Sequence, residues 1–332
     1  MMQTDQQTDE GPKYHPMFSF ESDVVLCSRD GILFRVPSTT LKMTSSWFRA
    51  MFTLPQSATP SASTSTSMSM SLCAPSPISR TRSLPPSSAP TIAEPKSETI
   101  VLDEDSRTLE PLLRMACGLE IASLDTWDAV EPVLYAAEKY DMPGPASIVR
   151  ALLRTPAFAD APLRLYAAAC HFGWSDDARA ASTRSLVLDL HAPAHRAALL
   201  RLRTTDLLAL FELHHNRRTQ FRARLAEHPF LTDSQLGDAT AARCSRCRDP
   251  ISYAEWRELK HAMLYELERR PAGDTVLLGL EEWPLAQACW AARCKKSHCV
   301  SPVYDKVSST KAIKDVLDSL PSTVEMPVHD TA

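Results

Sequence analysis

Two short apolar runs lie on either side of a polar turn near the start of the chain. The first run covers residues 23–27, the second covers residues 32–36, and Asp30-Gly31 lies between them. An Asp-Gly pair between β-branched runs favours a tight hairpin, because glycine readily adopts the positive φ that such a turn needs. Pro37 has no N–H to donate to a neighbouring strand and is predicted to end the second one.

Apolar residues at helical spacing follow the hairpin. Ser38 is predicted to be the N-cap of one short helix and Ser45 the N-cap of the next. In the second of these helices the apolar residues recur at intervals of three and four and share roughly one face. They are Trp47, Phe48, Met51 and Phe52.

A Ser/Pro-rich stretch then interrupts this pattern. Of the 45 residues from 53 to 97, 13 are serine, 8 are proline and none is aromatic. Such a composition cannot bury enough apolar area to offset the entropy of ordering, so we predict a disordered insertion. Beyond it a strand is predicted at residues 98–103, followed by helices that Ser106 and Thr126 cap.

The order of these features resembles the start of a BTB/POZ domain. That family has an aspartate, a strand, a turn with glycine, a phenylalanine-bearing strand, a leucine in a short helix, and then serine, phenylalanine and an apolar pair. The matching positions are Asp23, Val24, Val25, Leu26, Gly31, Phe34, Leu41, Ser45, Phe48, Met51 and Phe52. After the insertion, the alanine-rich segment 135–142 resembles the same family.

The resemblance implies a fold and a role. The fold is α+β and mostly helical: a small three-stranded sheet covered by helices, followed by an all-α region, as in a fungal-type BTB protein with a helical C-terminal extension. The role is non-enzymatic protein–protein interaction. The protein would be either a scaffold that self-associates, for example as a homodimer, or a substrate adaptor for a cullin-type ubiquitin ligase. Some members build a charged pocket at the dimer from an aspartate and a basic residue. Asp23 is present, but Pro37 and Ser38 stand where the family usually has a histidine, often followed by a basic residue.

These patterns divide the chain into predicted regions. The BTB/POZ-like domain covers residues 18–154 with the insertion at 53–97, and a helical extension covers residues 160–235. The other regions are a disordered tail at 1–17, a small helical cysteine-containing module at 240–302 and a tail at 303–332.

Composition narrows the function classes. Glycine occurs only 8 times, which favours helix, and the net charge of −4 gives no general case for nucleic-acid binding. We find no glycine-rich phosphate loop, HExxH or G-x-S-x-G motif, so no enzyme activity is expected.

The start of the chain lacks a signal-peptide pattern and no apolar run has membrane-spanning length. We therefore expect an intracellular protein of the cytoplasm or nucleus, with no membrane partner.

The clearest chemical motif is Cys244-Ser245-Arg246-Cys247. Two thiolates at this spacing can bind one tetrahedral Zn²⁺ from a tight turn, and Cys294 with Cys299 would complete four ligands. Cys289 and His298 are alternative ligands. Such a site would be structural, because protein groups fill every coordination position. Two other hypotheses stay open: buried or free thiols, and a redox pair at Cys244 and Cys247.

A rival function combines the cysteine motif with a group of arginines that precedes it in the chain. Arg217, Arg218, Arg222 and Arg224 form a basic cluster. Together with the cysteine module it would make a zinc-dependent nucleic-acid-binding protein or transcription regulator. The cluster lacks interleaved aromatic residues for base stacking, so a solvated helix face is the simpler interpretation and nucleic acid an unlikely partner.

Overall fold

A computed structural model of the chain describes residues 13–54, 99–121, 123–227, 230, 243–244 and 246–325. The chain divides into two compact units, Met1–Leu152 and Leu153–Ala332. The insertion predicted at 53–97 lies outside the described residues, apart from residues 53 and 54.

The first unit contains a three-stranded mixed sheet. Its strands are β1 (Val24–Cys27), β2 (Leu33–Val36) and β3 (Thr99–Val101), in the order β2-β1-β3. β1 and β2 are antiparallel, and Gly31 takes the predicted positive φ of 81° in their turn. β3 runs parallel to β1, with Leu26 opposite Ile100. The strand predicted beyond the Ser/Pro-rich stretch therefore joins the hairpin in one sheet.

Hydrogen bonds outside the strands hold the same two segments together. The N–H of Arg29 donates to the carbonyl of Glu104 over 2.8 Å. Asp30 accepts the N–H of Ser106 over 2.8 Å and its hydroxyl over 2.6 Å. The hydrogen bonds from Ser106, chiefly, lower the pKa of Asp30 to about 2, so this carboxylate stays charged at neutral pH.

Helices cover the sheet of the first unit. They are α1 (Ser38–Thr44), α2 (Ser46–Met51), α3 (Ser106–Cys117), α4 (Trp127–Lys139) and α5 (Pro143–Leu153), which reaches the unit boundary. The predicted α+β class with mostly helical content is confirmed.

Two of the four predicted N-caps are confirmed. The hydroxyls of Ser45 and Thr126 accept the N–H groups of Phe48 and Ala129. The cap predicted at Ser38 is wrong: this residue is already helical, and Asp23 accepts its N–H over 2.8 Å. The cap predicted at Ser106 is off by one residue, because Asp105 accepts the N–H of Thr108.

Ser45 connects the two sequence blocks in the core. Besides capping α2, its buried hydroxyl donates to the carbonyl of Tyr140 at the end of α4. The rings of Trp47 and Phe48 pack against the Tyr140 ring, with centroids 5.2 and 5.6 Å apart. One buried hydroxyl thus satisfies a helix N–H and fixes the site where α2 meets α4.

Part of the predicted N-terminal tail is ordered against the sheet. The N–H of Leu33 donates to the carbonyl of Lys13 over 2.9 Å, and the N–H of His15 donates to the carbonyl of Leu33 over 2.8 Å. The His15 ring stacks on Phe34 at 5.1 Å. Residues 13–17 therefore belong to the first unit.

The second unit is helical in all of its described regular elements. These are α6 (Pro162–His171), α7 (Ser175–Ser185), α8 (Arg196–Leu199), α9 (Thr204–Arg224), α10 (Ala254–Arg269), α11 (Asp274–Gly279), α12 (Pro284–Ala291) and α13 (Lys306–Ser319). Within the described residues, no helix combines the length and the hydropathy of a membrane-spanning segment.

One apolar cluster joins most of the later helices. Four residues of α10 recur at intervals of three and four and are buried on one face of the helix; they are Trp256, Leu259, Met263 and Leu267. They pack with Phe221 of α9, Cys289 of α12 and Ile313 of α13. The stretch from 303 onward was predicted as a tail, and its helix α13 contributes buried residues to this cluster.

We predict that Ser45→Ala destabilises the first unit by about 1–2 kcal/mol, because it removes a helix cap and leaves a buried carbonyl without its donor. Ser147→Ala is the matched control, since this exposed hydroxyl bonds only within its own helix, to Pro143. The control is expected to change stability by less than about 0.5 kcal/mol. Denaturant unfolding monitored by circular dichroism measures both variants. Equal stabilities would remove the role given to Ser45.

Candidate metal centre

Two backbone turns present the cysteine pairs. In the first turn, Arg243 and Pro250 form an antiparallel bridge, and the N–H of Cys244 donates to the carbonyl of Asp249 over 2.8 Å. In the second, Arg293 and Pro302 form the same type of bridge, and the N–H of Cys294 donates to the carbonyl of Ser301 over 3.0 Å. Each turn therefore holds two cysteines close together.

The packing of α10 against α12 brings the turns to one place. The first turn precedes α10 and the second follows α12, and the two helices are in contact. Tyr304 fixes the return of the chain, because its hydroxyl donates to the carbonyl of Ser252 over 3.2 Å and its ring lies 6.2 Å from Trp256. The apolar cluster thus positions the cysteines across a long sequence separation.

The four predicted cysteines meet. Their Sγ atoms all lie within 4.8 Å of one another. The Cys244–Cys299 distance is 3.6 Å and the Cys247–Cys294 distance is 3.4 Å. A tetrahedral ion with metal–sulfur bonds of about 2.3 Å holds its sulfurs about 3.8 Å apart. The cluster therefore has the size and composition to hold a metal ion.

The two alternative ligands are not part of this cluster. Cys289 lies fully buried in the apolar cluster, where desolvation raises the pKa of its thiol to about 12. His298 is exposed on the second turn and does not belong to the group. The geometry favours the ligand set with one cysteine pair from each turn, which is Cys244 and Cys247 with Cys294 and Cys299.

Backbone N–H groups and a hydroxyl favour thiolates at two positions. The N–H groups of Cys247 and Arg246 lower the pKa of Cys244. Ser301, whose Oγ lies 3.5 Å from the sulfur, lowers the pKa of Cys299 to about 6. For Cys247 the N–H of Asp249 acts in the same direction, but desolvation and the neighbouring sulfurs outweigh it and raise the pKa to about 12. A metal ion must displace that proton, so binding weakens as pH falls.

Basic residues lie on both cysteine turns. Lys296 pairs with Asp249 over 3.1 Å, and its pKa is raised chiefly by Asp249 and further by Cys247 and Cys294. Arg246, Arg248 and Lys295 lie on the same turns. Four thiolates around a divalent ion would carry a net charge of −2, and Lys296 is the described cation that interacts electrostatically with the sulfurs of Cys247 and Cys294. Arg248 also has a positive φ of 66°, the kind of backbone strain that occurs at tight ligand turns.

Sequence reasoning did not identify Ser301 or Lys296 as neighbours of the sulfurs. A hydroxyl or a lysine a few residues from a cysteine is a common pattern and carries no specific signal. Only the fold of the second turn places them beside the cluster.

The basic cluster of α9 is divided between different environments. Arg217 is buried, and its guanidinium donates to the carbonyls of Pro271, Ala272, Leu320 and Pro321. Desolvation lowers its pKa. Arg217 is therefore a structural residue that joins three chain segments, and for this residue both the solvated helix face and the nucleic-acid surface are wrong.

A scan against models of known protein families finds no match to the chain, and a search of curated proteins also finds none.

Replacing one ligand is predicted to abolish stoichiometric metal binding. We expect close to one ion per chain in the protein purified under reducing conditions, and a large loss in Cys247→Ser and in Cys294→Ser, because a three-thiolate site binds less tightly. Cys117→Ser is the control, since Cys117 lies outside the cluster. Elemental analysis by mass spectrometry measures the number of metal ions per chain. A chain free of metal after reconstitution, or variants with wild-type content, would contradict the site.

Proposed function

We propose that residues 18–154 form a BTB/POZ-type domain and that the protein is a non-enzymatic protein-interaction module. The observation that carries this proposal is the position of β3 beside β1. The resemblance spans two sequence blocks on either side of the Ser/Pro-rich stretch, and it requires both blocks to contribute to one sheet. An unrelated hairpin followed by a separate helical body would not have this arrangement.

Exposed apolar side chains support an interaction role. Met43 on α1 is 82% exposed, Leu54 after α2 is 64% exposed and Val101 on the edge strand β3 is 74% exposed. Exposed apolar side chains of this size are candidate contact points for another protein. Met43 is the most exposed of the three and is the position that the test below changes.

We further propose that the ion of the cysteine centre is Zn²⁺ and that its role is structural. Four thiolates suit a soft ion without redox chemistry or geometric preference of its own. With four protein ligands the ion has no open position for a substrate. It would join the turn before α10 to the turn after α12 and stabilise the second unit.

Self-association is the first test of the proposed domain. We expect light scattering of the full chain at micromolar concentration, with reductant present, to give a mass near twice the 36.8 kDa of one chain. Met43→Glu is expected to lower that mass, because it replaces an exposed apolar side chain with a charged one. Thr39→Glu, an exposed polar position on the same helix, is the matched control. A monomer at every concentration would remove the self-associating scaffold.

The adaptor version makes a separate prediction. A purified cullin scaffold is expected to be retained by the immobilised full chain at micromolar concentration if the protein is a ubiquitin-ligase adaptor. The control uses the Met43→Glu variant on the same support, because loss of retention would place binding on the α1–α2 surface. Absence of retention by the wild-type chain would exclude the adaptor and leave the scaffold.

A further inference from the structure

A groove between α9 and α10 lies on the second unit, outside the metal centre. It has a volume of about 720 Å³, within the range of ligand-binding clefts. Half-buried Leu264 contributes apolar surface to its floor above the buried Trp256, and exposed Tyr265 lies at its edge. We refer to this cleft as the α9–α10 groove.

Cations line both sides of the groove. Arg218 and Arg222 lie one turn apart on α9, and Arg257 and Lys260 lie about one turn apart on α10. Residues at these spacings share one face of a helix, so each helix directs its pair toward the other. The sequence did not reveal this arrangement, because the two pairs are far apart along the chain.

Most of this charge has no internal partner. Arg218 pairs with Glu268 over 2.6 Å, and Glu268 is the only acidic residue among the described residues that line the groove. Arg222, Arg257 and Lys260 form no ion pair with another residue of the described part of the chain. The groove therefore combines an apolar floor with three cations available to a ligand.

We propose that the α9–α10 groove binds an acidic peptide segment of a partner protein. An extended peptide directs successive side chains to opposite sides, so its carboxylates reach the cations on both helices while apolar side chains meet the floor. A single nucleic-acid strand gains affinity by stacking its bases on open aromatic rings, whereas the Trp256 ring is buried and already stacked on Phe230. This binding surface goes beyond the proposed role of residues 18–154, since it belongs to the second unit.

Fluorescence anisotropy with the full chain tests the proposal. The probe is a short fluorescein-labelled peptide of alternating glutamate and leucine, compared with a lysine–leucine peptide and an oligothymidine strand. We expect only the glutamate peptide to bind at micromolar concentration, with affinity that falls as salt is raised. Arg222→Glu combined with Arg257→Glu is expected to weaken binding by roughly tenfold or more.

The matched control is Arg224→Glu combined with Arg269→Glu. These arginines are exposed on the same two helices but do not line the groove. Both double variants replace two arginines with two glutamates, so they change the net charge of the protein equally. We expect wild-type affinity in this variant. No binding of the acidic peptide at low salt, equal loss in both double variants, or tighter binding of oligothymidine would overturn the proposal. Light scattering of the same samples reports on self-association separately, so failure of the groove is distinguishable from failure of the proposed domain.

Discussion

The first unit depends on the hydrogen bonds that β1 makes along both of its edges. On one edge lies β2, which a tight turn supplies, and on the other lies β3, which arrives from beyond the Ser/Pro-rich stretch. Parallel neighbours always need a long connection, and the entropy of closing a loop grows only slowly with its length. The sheet therefore tolerates a long interruption in sequence, provided that contacts such as Asp30 with Ser106 and Ser45 with Tyr140 close the core.

The second unit has no described strands and relies on other constraints. Its helices share one apolar cluster, and the buried guanidinium of Arg217 satisfies carbonyls of the segments that leave α10 and α13. The cysteine turns lie at one end of the α10–α12 pair. A metal ion there would restrain residues widely separated in sequence, where two short turns bury little apolar surface of their own.

The proposed binding functions fall on chemically different surfaces. In the first unit the exposed side chains invoked for docking are apolar, namely Met43, Leu54 and Val101, which suits docking by surface burial. In the second unit the α9–α10 groove is cationic, which suits an acidic ligand and a salt-dependent affinity. The candidate metal centre differs from both in its chemistry, because it is a group of four cysteine sulfurs within 4.8 Å of one another.

Local spacing in the sequence determined the hairpin, the caps at Ser45 and Thr126, and the pairing of Cys244 with Cys247, because each depends on residues only a few positions apart. The prediction of N-caps failed where a side chain distant in sequence bonds the backbone instead. Asp23, for example, accepts the N–H of Ser38, which was predicted to be an N-cap. The meeting of the two cysteine turns, the burial of Arg217 and the cationic groove were decided by tertiary structure. A helical pattern shows which residues share a face, but only the packing of helices determines what that face meets.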